Sequence, residues 1–255
     1  MMLARLRVPA FAVAIGAAAV VAPLLSLAAP AQAAAGGHGG SGLASGHAGA
    51  PSVINTPGFA GYQATVPAGS ATSSAAHFKV PTLSCTSAYR AITPVAGVAV
   101  NSFATYSSAF LFVGCHNGKA VYFPALVVNG TETNYTTTLL SAGDAIKVYT
   151  NVTSTGTTVR VTDVTKGITK KLTGPGASSS AAYAGDSDWF TSTGTLLGVP
   201  NFGKLTFTSC YIDGSALAGW NPAQYQRVNS SGIVQIATGA LTSTGTAFPT
   251  YYKHS

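Results

Sequence analysis

Residues 157–173 read TTVRVTDVTKGITKKLT. Val159, Val161, Ile168 and Leu172 alternate with Thr, Arg and Lys, the period of two that marks a half-buried strand. Lys166-Gly167 interrupts the alternation as a turn would. The stretch therefore predicts a β-hairpin. Working outward, similar short runs rich in Val, Thr, Tyr, Phe and Ile recur at His77–Leu83, Ala109–Val113, Ala120–Val128, Ala145–Val152, Lys204–Ile212, Ile233–Ala237 and Ala247–Tyr252. Gly, Asn and Ser clusters separate them, and helix-period stretches are almost absent. The fold expected is all-β, a two-sheet antiparallel β-sandwich or jelly roll.

The amino end carries a processing signal rather than a strand. Arg5 and Arg7 precede an apolar run from Val8 to Ala29, and Ala31-Gln32-Ala33 is an A-x-A cleavage site. Residues 1–33 are thus read as a signal peptide and 34–53 as a flexible Gly/Ser/Ala-rich tether. Residues 54–255 follow as one sandwich domain. No later segment is apolar and long enough to span a bilayer, and no cell-wall sorting tail precedes Ser255, so any envelope attachment would be non-covalent. Secretion places the chain in an oxidising compartment. Of Cys85, Cys115 and Cys210, the pair expected to join is Cys85–Cys115, leaving Cys210 as a small buried hydrophobe in a strand.

Carboxylates are scarce: Glu132 is the one glutamate, beside five aspartates. Removal of the signal leaves eleven Lys and Arg against six Asp and Glu, a formal charge of +5. Those cations are scattered along the chain, with only Lys170-Lys171 adjacent, so no stripe suited to nucleic acid is expected. His77, His116 and His254 lack a flanking nucleophile motif, and Cys115-His116 lacks further ligands at metal-binding spacing. No metal or cofactor is expected. Asp144, after Gly143 at a strand start, reads as a structural acceptor of backbone N–H groups. His116-Asn117-Gly118 reads as a turn, and Glu132 sits in a turn-like Asn-Gly-Thr-Glu-Thr-Asn stretch.

Several ordered fragments resemble the eqolisins, glutamic endopeptidases with a concanavalin A-like fold. They are Phe59-Ala60-Gly61-Tyr62, His77-Phe78-Lys79-Val80-Pro81-Thr82, Ala142-Gly143-Asp144-Ala145-Ile146, the 157–173 hairpin, Asp188-Trp189-Phe190 and Pro200-Asn201-Phe202-Gly203-Lys204-Leu205-Thr206-Phe207. The resemblance implies acid proteolysis by a glutamate acting as general base and a glutamine that helps bind the water and stabilise the oxyanion. The family's glutamine strand, Ala-x-Leu-Gln-x-Gly, reads here Ala109-Phe110-Leu111-Phe112-Val113-Gly114, with Phe112 in the glutamine's place. Counting from Trp189 puts Ser192 where the glutamate belongs. Neither side chain can do the work of the residue it replaces.

Asp186 and Asp188 are the fallback carboxylates, expected in solvent-exposed turns. Tyr106, Phe110, Phe112, Tyr122, Trp189 and Ser192 are the residues expected to line a cleft on the concave sheet. The reading adopted is a secreted non-catalytic sandwich that binds an extended glycan or peptide, or the cell surface, through that sheet. Two alternatives stand beside it: an active acid endopeptidase using a substituted carboxylate, and a purely structural extracellular matrix protein.

Overall fold

The computed structural model describes residues 53–70, 72–101, 104–189 and 196–255. The signal, the tether up to residue 52 and Ser192 lie outside the described residues. Among the described residues sixteen strands run in chain order. The first eight are β1 (Ile54–Thr56), β2 (Phe59–Thr65), β3 (Thr72–Lys79), β4 (Arg90–Val100), β5 (Thr105–His116), β6 (Lys119–Val128), β7 (Thr131–Asn134) and β8 (Ala145–Val152). The rest are β9 (Thr157–Asp163), β10 (Ile168–Gly174), β11 (Ser179–Ser187), β12 (Lys204–Ile212), β13 (Ser215–Ala216), β14 (Ala223–Val228), β15 (Val234–Thr238) and β16 (Phe248–Tyr252). The 157–173 hairpin forms as read, with Ile168 opposite Asp163 and Gly174 opposite Thr157.

Hydrogen bonding orders the strands β10-β9-β8-β3-β12-β16-β15-β14-β2-β11-β4-β5-β6-β7. The sequence of pairs becomes a sandwich because β12 serves two sheets. Lys204–Phe207 pair with β16, whereas Thr208–Ile212 pair with β3. Within the β3 pairing the register shifts between Thr208 and Tyr211, and Ser209 takes a left-handed φ of 49°. An extra residue of this kind bends a strand and re-aims it. The small sheet, β10-β9-β8-β3, thereby folds back over β4, β5, β6 and β11 of the large one.

The inward residues of both sheets form one core. Phe78, Ile146, Val148, Val159 and Val161 from the small sheet meet Ile92, Leu111, Val113, Leu126 and Ala184 from the large one. Hydroxyls satisfy carbonyls across the gap: Thr150 donates to Ala96 at 2.9 Å and Ser74 to Tyr183 at 2.9 Å. Cys85 and Cys115 are joined, tying the segment before β4 to the end of β5. Cys210 is fully buried and burial pushes its thiol up to about 12, so it packs as a hydrophobe. Asp144 accepts from the Ser141 N–H at 2.7 Å and also pairs with Lys166 at 2.7 Å.

Candidate functional site

The large sheet has a second apolar face, turned away from the core. Alternation along β5 sends Ala109, Leu111 and Val113 inward, so Phe110 and Phe112 point to the other side. The β5–β6 hairpin fixes what meets them. Asn117 and Gly118, with φ of 51° and 75°, make the tight turn that puts His116 opposite Lys119. That register sets Phe112 against Phe123, and their rings stack at 4.6 Å with 7° between planes. Trp189 stands edge-on to Phe112 at 5.1 Å and to Phe110 at 5.8 Å. Phe112 itself is only 2% exposed.

The same register corrects one assignment. Tyr122 faces Val113, not Phe112; it packs in the inter-sheet core and its hydroxyl donates to the Pro81 carbonyl at 3.0 Å. The cleft residue is its neighbour Phe123. Tyr106 is 40% exposed at the start of β5.

Further along the face the aromatic row continues over glycine. Gly97 on β4 lies opposite Tyr183 on β11, and a Cβ there would come within 2.4 Å of the tyrosine ring. Gly61 and Gly185 are paired across β2 and β11, and a Cβ on either would meet Phe59 Cζ at 2.9 Å. Phe59 in turn touches Tyr183 at 5.8 Å and Tyr225 at 5.9 Å, both edge to face. Missing side chains on three central strands thus give the rings room to lie against the sheet. Phe59, Tyr183 and Tyr225 were not among the residues expected to line the cleft.

The acids also sit differently from expectation. Asp186 is not an exposed turn residue; it lies within β11 and is fully buried. Thr250 donates to its Oδ2 at 2.5 Å, while Oδ1 has no partner. Burial raises its pKa to about 7 despite the Thr250 hydrogen bond and the nearby Arg227 charge. Asp188, half-buried just after the strand, is raised to about 6 by the same desolvation, against the pull of Arg227. Arg227 is itself fully buried, donating to the Leu197 carbonyl at 2.9 Å and to Gln235 Oε1 at 3.2 Å.

Glu132 is in a strand rather than a turn. It occupies the edge strand β7 opposite Val127, on the aromatic side of the sheet, and accepts from Asn134 Nδ2 at 2.6 Å. Among the described residues no group of three or more His, Cys, Asp or Glu is placed to hold a metal ion.

A family model described as the Peptidase A4 family matches residues 57–248. The chain belongs to this family, the eqolisins. Solved eqolisins share its fold. Scytalido-glutamic peptidase, crystallised with a transition-state analogue inhibitor, superposes with a TM-score of 0.61 at 15% identity, over 77% of this chain and 100% of that one. SCP-B, an eqolisin in complex with the tripeptide Ala-Ile-His, also gives 0.61 at 15% identity, over 77% and 98%. Aspergilloglutamic peptidase from Aspergillus niger gives 0.54 at 17% identity, over 64% and 99%. No curated protein matches the chain. The eqolisin fold is therefore kept at low identity, and the chain is peptidase-related. Among the described residues no helix is long and apolar enough to cross a membrane, and the Cys85–Cys115 disulfide is compatible with an extracellular protein.

Proposed function

We propose that this eqolisin is secreted and non-catalytic, and that it binds an extended peptide along the aromatic outer face of its large sheet. One observation carries the reading. Phe112, in the strand position that the family pattern gives to glutamine, is buried beneath Trp189 and stacked on Phe123. A ring packed there offers no amide to hold a water or an oxyanion, while the partly exposed Phe123 and Trp189 around it offer apolar area. Ser192, in the glutamate's position, cannot act as a general base. Two solved relatives hold a peptide-like inhibitor or a tripeptide, which favours a peptide over a glycan as occupant.

The test is a titration with extended peptides, followed by tryptophan fluorescence, with neutral oligosaccharides alongside. The expected result is saturable peptide binding that Phe123→Ala weakens about tenfold, the worth of one aromatic contact. Binding of the oligosaccharides alone would make the face a glycan site, and binding of neither would leave a structural scaffold.

A second reading keeps acid proteolysis. It is favoured by the Glu132–Asn134 pair, a carboxyl joined to an amide on the aromatic side of the large sheet, and by the raised proton affinity of Asp188.

A further inference from the structure

The outward face of the small sheet gathers cations that are scattered in sequence. Register sets them out. Lys79 on β3 lies opposite Ala145, and Lys147 is two residues further along β8, opposite His77. Lys147 pairs with Thr162, and Arg160 is again two residues further along β9, opposite Tyr149. Arg160 then pairs with Lys171 on β10. On the other side of β3, Thr208 pairs with His77, so Lys204 extends the same diagonal where β12 leaves β3. That divergence opens a cleft of about 510 Å³ bordered by His77, Lys79, Lys147 and Lys204.

With strands about 4.8 Å apart and alternate residues about 6.8 Å apart, each diagonal step from Lys204 to Arg160 is about 8 Å, about 25 Å in all, and Lys171 lies about 5 Å straight across from Arg160. Lys79, Lys147, Arg160, Lys171 and Lys204 are all exposed. No Asp or Glu occupies an outward position on β3, β8, β9 or β10: Asp163 points inward and Asp144 is engaged by Lys166.

We infer that this diagonal binds a linear polysaccharide carrying carboxylates on its sugars. The charge is complementary, the nearest exposed carboxylate, Asp213, stands at the far end of β3 bonded to Ser73, and a repeating polymer can meet several of the cations at once. Thr162, Thr169, Thr208 and His77 lie between the cations and can exchange hydrogen bonds with sugar hydroxyls. Single-stranded nucleic acid fits less well, because binding it depends on bare rings on which bases stack. Here Arg160 lies over Tyr149 at 5.3 Å, and Lys204 and Lys253 over Tyr251 at 5.8 and 5.5 Å. The surface is separate from the aromatic face and does not depend on its role.

The experiment titrates the chain with polygalacturonate at low and high salt, beside uncharged dextran and a single-stranded DNA oligomer of equal charge. Polygalacturonate should bind, more weakly at high salt, and dextran should not. Lys147→Glu should weaken binding about tenfold, while Lys119→Glu, an equal charge change on the β5–β6 turn, should alter it less than about twofold. Equal losses in the two variants, tighter binding of the DNA, or no binding of polygalacturonate would each overturn the inference.

Discussion

Asp186 carries its proton where an ordinary aspartate would not. The folded chain holds that proton up to about pH 7, whereas the unfolded chain releases it near pH 4. The group therefore favours the folded state fully below about pH 4, and that contribution is lost as pH rises through about 7. The amount is on the order of 4 kcal/mol, or roughly 10 °C in Tm for a domain of this size. Thermal unfolding followed from pH 4 to 8 should show a falling Tm, and Asp186→Asn should make the fall shallower, leaving the part due to Asp188. A Tm that rises over this interval would refute the assignment. Nothing local in Ala184-Gly185-Asp186-Ser187 announces a buried acid, because the partner that meets it, Thr250, is sixty-four residues away. Phe123, by contrast, was legible. Once Asn117-Gly118 is read as a two-residue turn, counting back along both strands puts Phe123, not Tyr122, opposite Phe112.

At the scale of elements, the hairpins with alternating Val, Thr and Tyr were readable, and the central strands β4 and β11 were not. β11, SSAAYAGDS, has Tyr183 as its one aromatic or β-branched residue, and β4, RAITPVAGVAV, has its Ile, Thr and Val run broken by Pro94 and Gly97. Pro94 even removes a ladder donor from β4. Packing explains the composition: Gly97 and Gly185 on these strands leave room for the Tyr183 and Phe59 rings to pack against the sheet, edge to face with one another. Gly97→Ala should therefore force the Tyr183 ring away and destabilise the fold by about 1–3 kcal/mol, read as a lower urea midpoint with an unchanged slope. A midpoint equal to the parent's would mean that Gly97 is not there for the ring.

At the scale of the molecule, the sandwich and its disulfide followed from strand spacing and cysteine positions, but the charge pattern did not. The five cations of the diagonal, four on the small sheet and Lys204 on β12, look scattered along the chain because only inter-strand register brings them together. The same holds for Glu132, whose place on the aromatic side depends on the β6–β7 pairing. The family's fold is kept while the positions that resemblance assigns to its catalytic pair hold Phe112 and Ser192. The direct test of the proposed non-catalytic function is digestion of an unfolded protein substrate by the purified chain between about pH 2 and 5, where protonated and ionised carboxyls coexist. The account predicts no cleavage by the parent chain and none by Glu132→Gln or Asp188→Asn. Cleavage by the parent that either substitution abolishes would contradict it.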